Sequence, residues 1–92
     1  MFITMAVHHP KAEHVEDFLA FMKKIEAAME GTPGLVSLES FRDVDVPTRL
    51  VAVGRWESPE AAAEGVPRLM SVGGREESWS AKPDELFRLA AG

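Results

Sequence analysis

The chain predicts a small α+β domain of ferredoxin-like type, β-α-β-β-α-β, and three stretches carry that reading. Residues 50–62 run Leu50-Val51-Ala52-Val53-Gly54-Arg55-Trp56-Glu57-Ser58-Pro59-Glu60-Ala61-Ala62. An apolar strand ends in tryptophan and drops into a helix capped by Ser58, with Pro59 at its first position and Glu60 supplying negative charge to the first turn. Residues 1–41 repeat the layout as strand, long helix, strand. Between the halves, Arg42 to Thr48 holds Asp43, Asp45 and Pro47 and reads as a hairpin loop.

The elements follow in order. Phe2 to His8 alternates weakly and is apolar on both sides, which suits a central strand covered on two faces. His9-Pro10 ends it. Residues 11–30 form a helix, because Val15, Phe18, Leu19, Met22, Ile25 and Met29 recur at three- and four-residue steps and make one apolar stripe. Gly31-Thr32-Pro33-Gly34 stops that helix and turns the chain. Leu35 to Phe41 is the second strand and Arg49 to Trp56 the third. Pro59 to Glu64 is a short helix that Gly65-Val66-Pro67 is expected to break, with one more turn over Arg68 to Val72. Gly73-Gly74 reads as a hinge or loop, and residues 75–83 as a polar loop holding Trp79 and Pro83. Asp84 to Ala90 is the last strand, with Leu86 facing opposite to Phe87 and Leu89.

Such a unit covers one face of its sheet with helices. By alternation, Val51 and Val53 project opposite to Ala52 and Gly54, and Val36 and Leu38 opposite to Leu35 and Ser37. Apolar residues on both faces predict a covered second face. Another copy of the same sheet would cover it, giving a homodimer through sheet faces.

Composition narrows the partners. Residues 1–92 are expected to form a single domain. A formal net charge of −5 argues against nucleic acid, which needs a basic face. There is no Cys, so disulfides, thiolate nucleophiles and Cys-ligated metals are excluded. The absence of Asn, Gln and Tyr removes phenol-based proton transfer and amide side-chain recognition. Met1 to Val7 is apolar but has no basic start, and no run approaches the roughly 18 apolar residues of a membrane span. A soluble cytoplasmic protein without membrane contact is the expectation.

The apolar first strand with a helix ending at Glu30, the Gly31-Thr32-Pro33-Gly34-Leu35-Val36 turn, and the Arg55-Trp56-Glu57-Ser58-Pro59-Glu60-Ala61 segment together resemble the antibiotic biosynthesis monooxygenase family. The resemblance covers nearly the whole chain and implies a dimeric α+β barrel. It also implies a cofactor-free oxidation: a hydroxylated aromatic binds between sheet and helices, loses a proton and passes an electron to oxygen. In the family's haem-degrading branch an Asn on strand one, the strand-three Trp and a helix His act together. Trp56 matches that Trp, Met5 lies near the Asn position, and no His follows His14. No haem, other cofactor or metal is therefore expected.

Candidate site residues follow from both lines. Trp56 either stacks on a flat substrate or closes the end of the core. His8 and His9 are candidate bases near neutral pH, or polar residues at a strand-to-helix turn, and adjacent positions on a strand send them to opposite faces. Met5, Phe18, Met22 and Met70 can line a pliable apolar pocket or simply fill the core. Arg55, with Arg42 and Arg75, either binds an anionic group or pairs with its sequence neighbours Glu57, Asp43 and Glu76. Trp79 plugs a pocket mouth or clasps a partner subunit. Three functions stay open at this point: a monooxygenase acting on a small aromatic or quinol-type substrate, a non-catalytic dimer binding an apolar metabolite, and a fold whose cleft is filled by its own side chains.

Overall fold

A computed structural model describes residues 1–91. Its elements are β1 (Phe2–Pro10), α1 (Val15–Met29), β2 (Leu35–Arg42), β3 (Leu50–Trp56), α2 (Pro59–Met70) and β4 (Ser80–Ala90), with single 3₁₀ turns at Ala12–His14 and Glu77–Trp79. The strands form one antiparallel sheet in the order β2-β3-β1-β4. This is the ferredoxin-like α+β arrangement.

Antiparallel pairing sets which side chains share a face. Phe2, Thr4, Ala6 and His8 of β1 lie level with Trp56, Gly54, Ala52 and Leu50 of β3. That face receives the helices. One core cluster there joins Phe2, Met29, Trp56 and Ala62, and a second joins Val15, Phe18, Met22 and Leu50. The opposite face carries Ile3, Met5 and Val7, level with Arg55, Val53 and Val51 on one side and with Leu89, Phe87 and Glu85 on the other. Among the described residues no helix or loop covers it, and Phe41, Phe87 and Leu89 remain 46%, 39% and 41% exposed.

Three expectations need correcting. First, α2 does not break at Gly65-Val66-Pro67 but runs on to Met70. Tertiary packing overrides propensity here. A Cβ on Gly65 would sit 2.6 Å from Cη2 of Trp56, so glycine is what lets the helix pass over the indole. Pro67 falls near the end, where one missing N–H costs little against that contact. The start is as read: the Ser58 hydroxyl accepts from the Ala61 N–H at 3.1 Å. Second, the alternation over Leu35–Leu38 is reset by a register shift between Leu35 and Ser37. Leu35 and Leu38 consequently both pack on the Trp56 cluster, as a bulge permits. Third, β4 starts at Ser80, not Asp84. It is an edge strand, and Pro83 lies where the register jumps from Val7↔Glu85 to His9↔Lys82. A proline there forfeits no ladder hydrogen bond.

Gly65→Ala gains helix propensity of about 1 kcal/mol, yet a Cβ 2.6 Å from the Trp56 ring should cost toward the upper end of the about 1–3 kcal/mol usual for overpacking. Thermal unfolding should therefore show net destabilisation. Gly73→Ala, where an added Cβ meets nothing within 4 Å, serves as the neutral control.

Candidate functional site

The residues singled out from the sequence do not converge. Trp56, His8, Phe18 and Met22 lie on the helix face, whereas Met5, His9 and Arg55 lie on the open face. Met70 ends α2 and is 76% exposed. Even on the helix face, Trp56 is level with Phe2 and His8 with Leu50. Six residues of strand separate those positions, about 20 Å at the usual rise. No single site therefore holds both Trp56 and His8.

Trp56 is 5% exposed and packed in the core. Its Nε1–H donates to Thr4 Oγ1 at 3.0 Å, which satisfies the one polar atom that burial would orphan. Thr4, not Met5, is the strand-one residue beside Trp56. The signal was in the sequence, since alternation places Met5 with Ile3 and Val7.

The chemistry gathers at the other end of β1. His8 packs against Phe18 with ring centroids 4.7 Å apart and planes tilted by 40°, and its Nδ1 lies 3.0 Å from Asp84 Oδ1. That approach is close but misaligned, so the buried Nδ1 makes no hydrogen bond of good geometry. Burial lowers the His8 pKa below its ordinary 6.5; Asp84 opposes this, and the charges of Arg75 and His9 reinforce it. His8 is thus a neutral imidazole at pH 7. Burial pushes the Asp84 carboxyl up, but its bonds to Arg75 and the nearby His8 outweigh that and hold it below 3.8. Arg75 grips Asp84 with both arms, Nη1 to Oδ2 at 2.7 Å and Nη2 to Oδ1 at 3.0 Å, while its guanidinium lies 4.8 Å over the Phe18 ring.

Aromatic rings complete the cluster. Trp79 meets His14, Phe18 and Phe21 at 6.2, 6.2 and 6.5 Å between centroids. An open concavity of about 600 Å³ is lined by Arg75, Glu77, Ser80, Lys82 and Pro83, and a smaller one of about 280 Å³ by Asp17, Ala20, Phe21, Lys24, Gly74 and Trp79. Neither touches Trp56. His9 stands on the other face, where its Nε2 lies 2.7 Å from Glu85 Oε2.

The arginines pair across the fold rather than with sequence neighbours. Arg42 meets Glu16, Arg55 meets Glu39 and Arg75 meets Asp84, while Asp43 is taken by Arg49. Asp84 was the residue missed. Its only sequence mark is an acid at the mouth of the last strand, and its link to His8 arises from the β1–β4 register. Among the described residues, no group of three or more His, Asp or Glu is placed to hold a metal ion, and no helix is long and apolar enough to cross a membrane.

Fold and site together define a ferredoxin-like α+β protein with an imidazole–carboxylate pair between sheet and helix. The family model for antibiotic biosynthesis monooxygenase matches residues 1–64, and the chain belongs to that family. Among solved structures, it is similar to one from Nitrosomonas europaea named for the same family, with a TM-score of 0.87 and 18% identity over 99% of this chain and 98% of that one. Rv0793 from Mycobacterium tuberculosis aligns with a TM-score of 0.78 and 18% identity over 98% and 93%. A variant of MhuD with two manganese protoporphyrin IX molecules per active site aligns at 0.81 and 19% over 99% and 94%. No curated protein matches the chain. At these identities the likeness shows the fold.

Because the folded His8 titrates below 6.5, the unfolded chain takes up the proton first. Stability is then complete above about pH 6.5 and falls as the pH drops from there toward the lower folded value. Thermal unfolding between about pH 7.5 and 5.5 should show this decline, and His8→Gln should flatten it.

Proposed function

We propose that two copies pair through their open sheet faces and that each protomer oxidises a small aromatic or quinol-type substrate without a cofactor, on the helix face between β1, β4 and α1. The observation that carries this reading is His8: a neutral, mostly buried imidazole beside a carboxylate, among aromatic rings. Such a group accepts a proton near neutral pH, and the surrounding rings suit a flat apolar ligand.

The chemistry balances without a reductant. A substrate carbon bearing two hydrogens, activated by a neighbouring carbonyl, gives one proton to His8. The resulting anion passes an electron to dioxygen, and the two radicals combine as a peroxide. The imidazolium returns its proton, and loss of water leaves a carbonyl at that carbon. One dioxygen is consumed and one water released per quinone formed. The protein contributes the base and a site poor in water. Trp56 supports this site only through the fold, since it lies at the far end of β1.

Pairing is supported by the uncovered apolar face around Met5, Val53 and Phe87, since contiguous exposed apolar surface marks interaction sites. Light scattering at micromolar concentration should give twice the 10.1 kDa protomer mass. Val53→Glu should shift it to the protomer mass while the circular dichroism spectrum stays folded. A wild-type protein at protomer mass would end the dimer reading.

Oxygen uptake with a panel of quinols and anthrones tests the reaction. Uptake is expected with at least one, falling by about 100-fold or more in His8→Gln, the usual worth of a positioned base. Retained ligand binding with no uptake in either protein would leave a dimeric binding protein instead.

A further inference from the structure

Asp84 faces two partners with one oxygen. Its Oδ1 accepts from Arg75 Nη2 at 3.0 Å and lies 3.0 Å from His8 Nδ1. Arg75 has the aligned bond and His8 does not. Arg75 belongs to the segment between α2 and β4, and that segment is tied to α1 at its glycine pair. Lys24 Nζ donates to the Gly73 carbonyl at 2.6 Å, and Gly74 sits at φ +116°, a conformation that favours glycine. Beyond it, Trp79 lies over Phe18 and Phe21.

We propose that residues 71–79 form a lid over the aromatic cluster and that Arg75 is its latch, closing on Asp84 and so withholding that carboxylate from His8. The proposal rests on reading the space beneath this segment, beside His8 and Phe18, as the ligand site. With the latch closed, the Arg75 fork orients Asp84, and the His8 Nδ1 stays buried and unbonded. With Arg75 withdrawn, Asp84 is free to turn and accept from Nδ1–H, leaving Nε2 as the basic nitrogen. An anionic substituent on a ligand would draw Arg75 away by offering it another fork partner. Arg75 is therefore a positioning residue acting through Asp84. The charged and titratable groups around His8 are Asp84 from β4, Arg75 from the lid and His9 from its own strand; α1 presents Phe18, and β3 presents Leu50 at the paired position.

Arg75→Gln, Asp84→Asn and Lys24→Met test the latch through Trp79 exposure, which a merely structural ion pair would leave unmoved, while the His8 midpoint confirms which charge each variant removes. The first two should release Trp79 and raise its quenching by acrylamide about twofold, as for a locally opened segment; Trp56, 5% exposed, contributes little. The His8 imidazole, titrated by proton–carbon correlation NMR and assigned through His8→Gln, should move oppositely in the two variants. Its midpoint should rise in Arg75→Gln, which keeps Asp84 and removes a positive charge, and fall in Asp84→Asn. Lys24→Met, at an exposed position, should raise Trp79 quenching without touching Asp84 and covers the case in which an Asp84 variant fails to fold. Unchanged quenching, or His8 midpoints moving the same way in both variants, overturns the latch. These readouts do not use turnover. Absence of oxygen uptake would remove the oxygenase reading and leave the latch, whereas unchanged Trp79 and His8 signals would remove the latch and leave the reaction.

Discussion

The period-two alternation of β1, held between antiparallel neighbours on both sides, is the constraint on which the rest depends. A central strand cannot slip by one residue without sending every side chain to the other face. Pairing with β3 and β4 commits Phe2, Thr4, Ala6 and His8 to the helices and Ile3, Met5, Val7 and His9 to the open face. Both helices, the core clusters and the candidate base stand on the first set. The open apolar surface stands on the second.

The helix face is divided along its length. At the Phe2 end, Trp56 fills the space under α2, bonded to Thr4 and overlaid by Gly65. That end is so closely packed that an added Cβ on Gly65 or Gly54 would meet the indole within 3 Å, and small volume changes are felt there. At the His8 end, the packing is aromatic and ionic, and the chain over it is a glycine-containing segment held by side-chain contacts and, at Trp79, by one backbone bond from the Lys11 N–H. Contacts of that kind open at lower cost than a packed core. The division places close packing at Trp56 and the imidazole–carboxylate pair at His8.

Two adjacent histidines meet two adjacent acids across the β1–β4 pair. His8 reaches Asp84 on the helix face, and His9 reaches Glu85 on the open face. The register irregularity between Val7 and His9 lies at this junction. Bulges of this type re-aim side chains at sheet edges and sites. Here the edge strand supplies a carboxylate to each face at the same level of the sheet.

Local rules decided the element order, the α1 stripe, the Ser58 cap and the two apolar faces, because each rests on residues close in sequence whose spacing repeats at 3.6 or 2. The helix through Gly65 and Pro67 was not legible, because its cause is an indole contributed by β3, and the Leu35–Leu38 alternation failed at a bulge that only pairing reveals. The site shows the same limit. His8 was legible as a candidate base on the correct face of β1. Its company was not, because Asp84 and Arg75 arrive from the far end of the chain through strand pairing and loop closure. Trp56 carried the family signal, and only the tertiary structure placed it a strand's length away from the imidazole.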